Sequence, residues 1–421
     1  MATIYQKATW TVLRASLKLS FFERQGIRIG PGPELPSPPF LLLADHSNAF
    51  DPVAIGFRSP APIRFMANIE GISPVAASFS DLVGVYGRRK GGNDIGAFRR
   101  TLELACQGEA IGIFPEGDRS WDGATQAFRP GIARLAKRLG LPLVLVRQKG
   151  NYLARPRWAR RPRSGPRTIE WAVFDADEVG RLSTPLLEQV IAQALEKDDI
   201  KDALLEGRSF SGVRVAEGVE RFLWRCPVCG RHDDAEGRGT SLRGKGDEIR
   251  CERCGSRWEL DANLRVRPLN VPLTLYRAPI LDLKDWSDWQ RESIPELLSG
   301  GIGTGEPGRE PRNFHASGVL LSRLKGRALV RFGRGSLRLA DGELLFESGD
   351  DRRIFLASEV RGFVDNFNVY SEFGYRGERW RLEFSGGNVA KWCHALGDGT
   401  SAVCASARQP RAEEARAGVV A

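Results

Sequence analysis

The chain has 421 residues, of which 42% are hydrophobic and 27% charged, a composition that excludes wholesale disorder and predicts two or three compact units. Its formal net charge of +10 favours anionic partners such as nucleic acid, anionic lipid headgroups or acidic cofactors. No apolar run is long enough for a transmembrane helix and no secretory signal is evident, so we expect a cytosolic protein whose seven cysteines bind metal or pack rather than form disulfides.

Residues 1–30 contain a predicted amphipathic helix. Within residues 6–22, apolar side chains recur at helical spacing while basic side chains lie on another face. The apolar set is Trp10, Leu13, Leu17 and Phe21. Such a helix either docks on the core of the protein or lies in a bilayer interface, where Trp and Phe sit at headgroup level.

Residues 31–210 alternate short apolar runs with helical patterns. The predicted buried strands are 39–44, 63–67, 83–86, 110–114, 141–146 and 169–174. The predicted helices are 94–106, 131–139 and a longer one that starts with Thr184 as N-cap and ends near Leu205. This alternation predicts an α/β domain with a mixed sheet flanked by helices.

The first candidate chemistry directly follows the strand predicted at 39–44. His46 and Asp51 form an H-x-x-x-x-D string in a loop where α/β folds place functional groups. A carboxylate at this spacing can meet the imidazole across a tight turn, fix its tautomer and stabilise the imidazolium after proton transfer. The alternative is that Asp51 only caps a helix beginning at Pro52 and His46 is an ordinary loop residue.

Three further blocks follow in order along the chain. They are GVYGRRK at 84–90, IFPEGDRS at 113–120 and, after FRPG at 128–131, LPLVLV at 141–146. Together with the His46 block they resemble the glycerolipid acyltransferase family, in particular its lysophosphatidate (1-acylglycerol-3-phosphate) acyltransferases. The resemblance covers about residues 5–205, roughly half of the chain.

The resemblance implies an O-acyltransferase of phospholipid biosynthesis or remodelling that works at a membrane surface. His46, held by Asp51, would deprotonate the hydroxyl of a lysophospholipid acceptor such as 1-acylglycerol-3-phosphate. The acceptor would then attack the thioester of acyl-CoA or acyl-carrier protein, with no covalent acyl-enzyme. The residues that match the family's substrate-binding positions are Arg88, Arg89, Glu116, Gly117 and Arg119.

The chain departs from the family pattern at three places. Asn48 stands where the family usually has serine. The interval from Gly84 to the arginine pair is about one residue short, so either arginine can be the one that grips a phosphate. Asp118 replaces the usual threonine, and its carboxylate would repel a phosphate unless a neighbouring arginine offsets it.

Between residues 155 and 167 the chain carries a dense basic patch. Its members are Arg155, Arg157, Arg160, Arg161, Arg163 and Arg167. The patch is either a solvated face or a contact for anionic headgroups or the phosphates of coenzyme A.

Two C-x-x-C knuckles, separated by 21 residues, lie within 220–262. Their cysteines are Cys226, Cys229, Cys251 and Cys254. The pattern resembles a zinc ribbon, and a shell of four thiolates leaves no open position, so we expect structural Zn²⁺; redox exchange is the alternative. The many arginines of this segment support a second hypothesis, a nucleic-acid- or protein-binding zinc-ribbon protein on an inactive acyltransferase scaffold. Sparse aromatic residues make nucleic acid the less expected partner.

The rest of the chain predicts a connecting segment over 263–315, glycine- and proline-rich at 296–313, and an all-β unit over 316–400. The predicted strands are 319–324, 328–332, 336–339, 343–346, 353–356 and 379–384, followed by a helix near 389–396. The unit resembles a pleckstrin-homology or GRAM barrel, which would assist recruitment or be purely structural. Residues 401–421 are predicted to be disordered. The whole protein is thus expected in the cytoplasm, peripheral on the inner face of the membrane.

Overall fold

The computed structural model describes the chain in twelve segments. They are 11–12, 27–29, 34–56, 59, 61–68, 85–88, 95–232, 240–298, 314–325, 328–366, 370–385 and 388–397. The amphipathic helix predicted within residues 1–30 therefore lies largely outside the described residues, as does the predicted tail at 401–421. Among the described residues, we find no helix with the length and apolar character needed to cross a bilayer.

The first half of the chain forms an α/β domain around a seven-stranded sheet. Its strands are β1 (Ile27–Ile29), β2 (Leu41–Ala44), β3 (Ile63–Asn68), β4 (Tyr86–Arg88), β5 (Ala110–Ile113), β6 (Leu143–Lys149) and β7 (Arg167–Phe174). The strand order is β1-β7-β6-β2-β5-β3-β4, and all neighbours are parallel except β6 and β7. The mixed sheet predicted from the sequence is confirmed.

Helices cover both faces of this sheet. They are α1 (Asp51–Gly56), α2 (Ile95–Cys106), α3 (Ile132–Leu139), α4 (Asn151–Ala154), α5 (Ala176–Arg181), α6 (Thr184–Leu195) and α7 (Asp199–Leu205). Side chains of β2 point alternately to two apolar clusters: Leu41 and Leu43 pack with α2, α3 and α6, whereas Leu42 and Ala44 pack with α1. Because both faces are buried, the central strands read as continuous apolar runs.

The helix predicted from Thr184 to Leu205 differs in the structure. Ser183, not Thr184, is the N-cap, and its hydroxyl accepts from the amide of Leu186. The helix ends at Leu195, and α7 starts after Asp198, whose carboxylate accepts from the amide of Lys201. Local capping by an aspartate competes with continuation of the helix, which divides the predicted element in two.

The segment after the α/β domain forms a four-stranded antiparallel sheet and two helices. The strands are β8 (Leu242–Lys245), β9 (Glu248–Cys251), β10 (Arg257–Leu260) and β11 (Val266–Pro268), in the order β11-β10-β9-β8. The helices α8 (Leu283–Glu292) and α9 (Ile294–Leu298) lie in the stretch predicted as a connecting segment. Trp258 and Trp286 of this part share one apolar cluster with Trp121, Tyr152 and Trp158 of the α/β domain.

The C-terminal part is all-β with a closing helix. Its strands are β12 (Phe314–Lys325), β13 (Ala328–Ala340), β14 (Glu343–Ser348), β15 (Asp351–Leu356), β16 (Arg361–Asn366), β17 (Tyr370–Tyr375) and β18 (Glu378–Phe384), and the helix is α10 (Val389–Leu396). They form one antiparallel sheet in the order β15-β14-β13-β12-β18-β17-β16.

Two differences from the sequence prediction stand out in this C-terminal sheet. The strands predicted at 328–332 and 336–339 are one strand, β13, with an irregular register beside β12. A Cβ at Gly335 would lie 1.9 Å from the carbonyl oxygen of Glu347, so glycine permits the close approach of β14 there. Strands β16 and β17 were not predicted, because their glycines and polar residues interrupt the alternation of apolar and polar side chains.

Candidate active site

His46 and Asp51 come together in the loop between β2 and α1. His46 Nδ1 lies 3.0 Å from Asp51 Oδ2, and this oxygen also accepts from the backbone amides of Ser47 and Asn48, each at 2.8 Å. Asp51 is fully buried and is the first residue of α1, so it both begins a helix and holds the histidine. With Nδ1–H donated to the carboxylate, Nε2 is the nitrogen that can take a proton.

The surroundings of His46 fix its ring while leaving it accessible. The imidazole stacks on the ring of Phe114, with the ring centroids 4.1 Å apart. The backbone amide of His46 donates to Glu116 Oε1 at 2.8 Å, and its carbonyl accepts from the amide of Ser120. The His46 side chain is 18% exposed, so a substrate hydroxyl can reach it.

Asn151, at the start of α4, holds the other oxygen of Asp51. Asn151 Nδ2 donates to Asp51 Oδ1 at 3.0 Å and to Gln148 Oε1 at 2.8 Å. The carbonyl of Asn151 accepts from Asn48 Nδ2 at 3.3 Å, which closes a ring of contacts around the loop that carries His46. The motif blocks gave no reason to single out Asn151; the available signal was a polar residue just after the apolar strand predicted at 141–146.

A buried ion pair involves Asp45, the residue directly before His46. Asp45 and Lys197 are both buried, and Lys197 Nζ lies 2.6 Å from Asp45 Oδ2. Burial raises the pKa of Asp45 to about 6, although Lys197 opposes the shift. Burial alone would lower the pKa of Lys197, but the charges of Asp45 and Asp199 outweigh it and hold that pKa above its ordinary value. Sequence patterning missed this pair.

Glu116 joins two loops of the site. Its Oε1 accepts from the amide of His46, and its Oε2 accepts from the amide of Gln126 at 2.9 Å. Burial, followed by the charge of Asp45, raises the pKa of Glu116 well above its ordinary value. Gly117 follows in the left-handed region, with φ of 76°, where glycine is preferred. Both residues therefore shape the loop beside His46, and their predicted contact with the acceptor stays a prediction.

Asp118 has a neighbouring arginine that offsets its charge. Asp118 Oδ1 accepts from the amide of Arg119 at 2.8 Å, and Asp118 Oδ2 lies 3.5 Å from Arg157 Nη1. Burial and then the neighbouring Arg157 lower the pKa of Arg119. The structure places the backbone of Arg88 at the end of β4 but does not describe its side chain, and Arg89 lies outside the described residues.

The basic patch at 155–167 divides into buried and exposed arginines. The buried members are Arg157, Arg163 and Arg167, and the exposed members are Arg155, Arg160 and Arg161. Arg160 and Arg161 pair with Glu220 and Glu217. The alternative of a solvated face is therefore wrong for the three buried arginines of the patch.

The four cysteines of the two knuckles form a thiolate cluster. Their sulfur atoms all lie within 4.8 Å of one another, with Cys226–Cys254 and Cys229–Cys251 at 3.8 Å. A tetrahedral metal ion with metal–sulfur bonds of about 2.3 Å requires sulfur atoms about 3.8 Å apart. The donor set thus fits a four-coordinate thiophilic metal. His232 is not part of the cluster; it packs against Trp224 and Phe314.

Comparisons with known proteins bear on the α/β domain. Residues 30–147 match the family model described as Acyltransferase. The probable 1-acyl-sn-glycerol-3-phosphate acyltransferase of Mycoplasma genitalium is 29% identical over 119 residues, which are 27% of this chain and 44% of that protein. The match thus spans less than half the length of this curated relative.

A solved structure is also similar to this chain. The crystal structure of the 1-acyl-sn-glycerophosphate acyltransferase from Thermotoga maritima is 20% identical, with a TM-score of 0.38, and covers 45% of this chain and 80% of its own. The stretch matched by the family model contains His46, Asp51, both arginines of the basic pair and the block at 113–120.

Proposed function

We propose that this chain, whose residues 30–147 match the Acyltransferase family model, is a glycerolipid acyltransferase that transfers a fatty acyl group to the hydroxyl of a lysophospholipid such as 1-acylglycerol-3-phosphate. The observation that carries the proposal is the 3.0 Å contact between His46 Nδ1 and Asp51 Oδ2. It supplies an oriented base beside the loops that the family model matches.

The chemistry is a direct transfer between an alcohol and a thioester. His46 Nε2 takes the proton of the acceptor hydroxyl while its oxygen attacks the thioester carbonyl carbon, and Asp51 stabilises the imidazolium. When the tetrahedral intermediate collapses, the carbon–sulfur bond breaks and the imidazolium returns the proton to the departing thiolate. No acyl group is bound to the protein at any step.

For the acceptor we propose that Arg119, with Arg88 or Arg89, binds the phosphate. A guanidinium suits this role because it forms bidentate, charge-assisted hydrogen bonds to phosphate oxygens. The nearby Arg157 offsets the carboxylate of Asp118, which lessens the repulsion that an acidic residue in this motif would otherwise cause.

The proposal includes acyl-CoA or acyl-carrier protein as donor and a membrane surface as the place of reaction. Both donors present the acyl group as a phosphopantetheine thioester, and a lysophospholipid acceptor resides in lipid. The C-terminal part is an antiparallel sheet with a closing helix, and we propose that it assists recruitment to the membrane. We assign the protein to the cytoplasmic side of the membrane as part of the same proposal.

For the thiolate cluster we propose structural Zn²⁺. Two sulfur pairs at 3.8 Å support this choice, and four thiolates would leave the ion no position for substrate. When bound, the ion would cross-link the two knuckles around β8 and β9.

The second hypothesis, a nucleic-acid- or protein-binding ribbon on an inactive scaffold, has less support. Arg257 and Arg243 of the ribbon pair with Glu248 and Glu252, which reduces the positive charge offered to a polyanion. An inactive scaffold also has no need for an oriented His46.

The proposed function is tested by transfer of labelled acyl groups from acyl-CoA and from acyl-carrier protein in the presence of lipid vesicles. The acceptor panel contains lysophosphatidate, other lysophospholipids and non-phosphorylated alcohols. We expect transfer to a lysophospholipid by the wild type and none by His46→Ala. Folded protein that transfers nothing from either donor, or a His46→Ala variant with normal turnover, would overturn the proposal.

A further inference from the structure

Arg157 connects the acceptor motif of the α/β domain to the C-terminal sheet. Its Nη1 donates to the carbonyl oxygen of Arg119 at 2.7 Å, and its Nη2 donates to Asp365 Oδ2 on β16 at 2.6 Å. The guanidinium also lies over the ring of Trp121, 4.0 Å from the centroid. The side chains of Arg157 and Asp365 are 1% and 0% exposed.

Because this ion pair is buried, its geometry fixes the position of Arg157. A guanidinium is a planar fork, so partners on two of its nitrogens and an aromatic ring on its face fix both its position and its orientation. Water cannot replace a lost partner at a site this buried, and an unpaired buried charge is strongly unfavourable. The Arg119 backbone and Asp118 are therefore held from the C-terminal sheet through Arg157.

Arg119, whose carbonyl oxygen accepts from Arg157, is the residue of this loop that we propose to bind the acceptor phosphate. Burial and then the charge of Arg157 lower the pKa of the Arg119 guanidinium, and the carboxylates of Asp118, Asp365 and Asp51 oppose that shift. A second ionic contact holds the same loop from outside the α/β domain, because Arg291 of α8 lies 2.7 Å from Asp122. The acceptor motif is thus supported by residues more than 150 positions away in the sequence.

We propose that Asp365 is a positioning residue for the acceptor: by holding Arg157, it sets the orientation in which Arg119 meets the acceptor phosphate. The inference rests on the proposed function and adds the C-terminal sheet to its acceptor site. Asp365 does not touch substrate; it acts through Arg157 and the loop at 118–121.

The test compares two isosteric changes in the full-length protein. Asp365→Asn removes the charge that holds Arg157. Glu372→Gln is the matched control, because Glu372 is an equally buried acid of the same sheet whose partners, Arg379 and Arg381, belong to β18. We expect Asp365→Asn to raise the acceptor KM about tenfold while kcat and the donor KM change less than about twofold, and Glu372→Gln to leave the acceptor KM unchanged.

Hydrogen–deuterium exchange supplies a readout independent of turnover. We expect faster exchange of the backbone amides at 118–122 in Asp365→Asn than in the wild type or in Glu372→Gln. Unchanged exchange there, or a lower kcat at an unchanged acceptor KM, would overturn the inference. The wild type could transfer no acyl group while the exchange difference between it and Asp365→Asn is still observed. That result would overturn the proposed function and with it the acceptor role of Asp365, and would leave only the structural link.

Discussion

Both carboxylate oxygens of Asp51 are occupied by donors, and this arrangement makes its charge essential for the histidine. An Asn at this position brings its N–H₂ either to the place where Oδ2 now accepts from His46 Nδ1 and from the amides of Ser47 and Asn48, or to the place where Oδ1 now accepts from Asn151 Nδ2, so donors would face donors in both orientations. In the first orientation the imidazole would lose its tautomer, and in both it would lose the negative charge that stabilises its protonated form. We expect Asp51→Asn to lower kcat by a factor on the order of 10²–10⁴. A steady-state assay checks this, with near-UV circular dichroism to show an intact fold.

Asn151 should contribute less than Asp51, since it orients the carboxylate rather than the base. Asn151→Ala removes the 3.0 Å bond to Asp51 Oδ1 and should lower kcat roughly tenfold. Asn151→Asp should lower kcat further, because two carboxylates would then face each other. The two variants are compared in the same pH–rate profile. Equal activity of both variants and the wild type would show that the contact does not orient Asp51.

His394 gives the stability of the protein an acid-sensitive component. Trp224 Nε1 donates to His394 Nδ1 at 3.4 Å, so the imidazole must be neutral to accept this bond. The partial burial of His394 and then the charge of Arg291 lower its pKa to about 3, whereas an unfolded histidine titrates near 6.5. Between those values the unfolded chain binds the additional proton, so the free energy of unfolding should fall as pH falls, by up to about 1.4 kcal/mol per pH unit.

The check is thermal unfolding of the wild type and of His394→Gln between pH 7 and pH 4. Glutamine keeps an acceptor for Trp224 but cannot take a proton. Asp45, whose pKa is raised to about 6, acts in the opposite direction, so the difference between the two proteins isolates the histidine. We expect a smaller loss of melting temperature for the variant; parallel curves would contradict the assignment.

Individual site residues were predictable where chemistry imposes a spacing. His46 with Asp51 and the two C-x-x-C knuckles are local strings, so the sequence alone brings their members together. Asn151 and the Asp45–Lys197 pair were not predictable, because they meet the motif only through the order of strands in the sheet. Arg157 is the instructive case: sequence patterning placed it in a basic patch, whereas the fold buries it beside Asp118 and Asp365.

At the scale of elements, we predict that the strands β8 and β9 depend on a metal ion bound by the thiolate cluster. Cys251 ends β9, and the amide of Gly255 donates to its carbonyl, just as Gly230 donates to Cys226 in the first knuckle. We expect purified protein to contain one equivalent of zinc, and Cys251→Ser to lose it. Metal analysis under reducing conditions checks both, with the exposed Cys106→Ser as the control that retains zinc.

Element boundaries show where local signals suffice. Central strands such as β2 and β5 were predicted within two residues, since apolar runs on both faces leave little ambiguity. The helix at 184–205 was predicted too long, because the chain becomes extended at Glu196 and the carboxylate of Asp198 caps a new helix, a contact that hydrophobic periodicity does not report. Helix α8 was overlooked in a segment read as a connection. Its capping residue Asp282 was visible, but only its packing through Trp286 makes it an element.

Across the whole molecule, the sequence suggested separate modules, yet the apolar core runs through the predicted boundary near residues 210–220. Phe222 stacks between Trp121 and Trp158 of the α/β domain, with centroid distances of 6.3 Å to each. Trp286 of α8 contacts Trp258 of β10 and belongs to the same cluster. The division into domains stays a prediction. Whether the predicted domains unfold separately or together depends on this shared core.

A shared core predicts that the α/β domain and the ribbon unfold together. Truncation after residue 210 would expose the side chains of Trp121, Tyr152 and Trp158, each aromatic side chain burying about 150–250 Å² in a core. We therefore expect the fragment 1–210 to aggregate or to melt far below the full-length protein. In the full chain, removal of metal should lower the melting temperature of a single transition that both parts share. Calorimetry with and without a chelator checks this prediction. Two separate unfolding transitions, with the transition of the α/β domain unchanged by the chelator, would contradict it. The two parts would then be independent, and Asp365 and Arg291 would act across a weak interface.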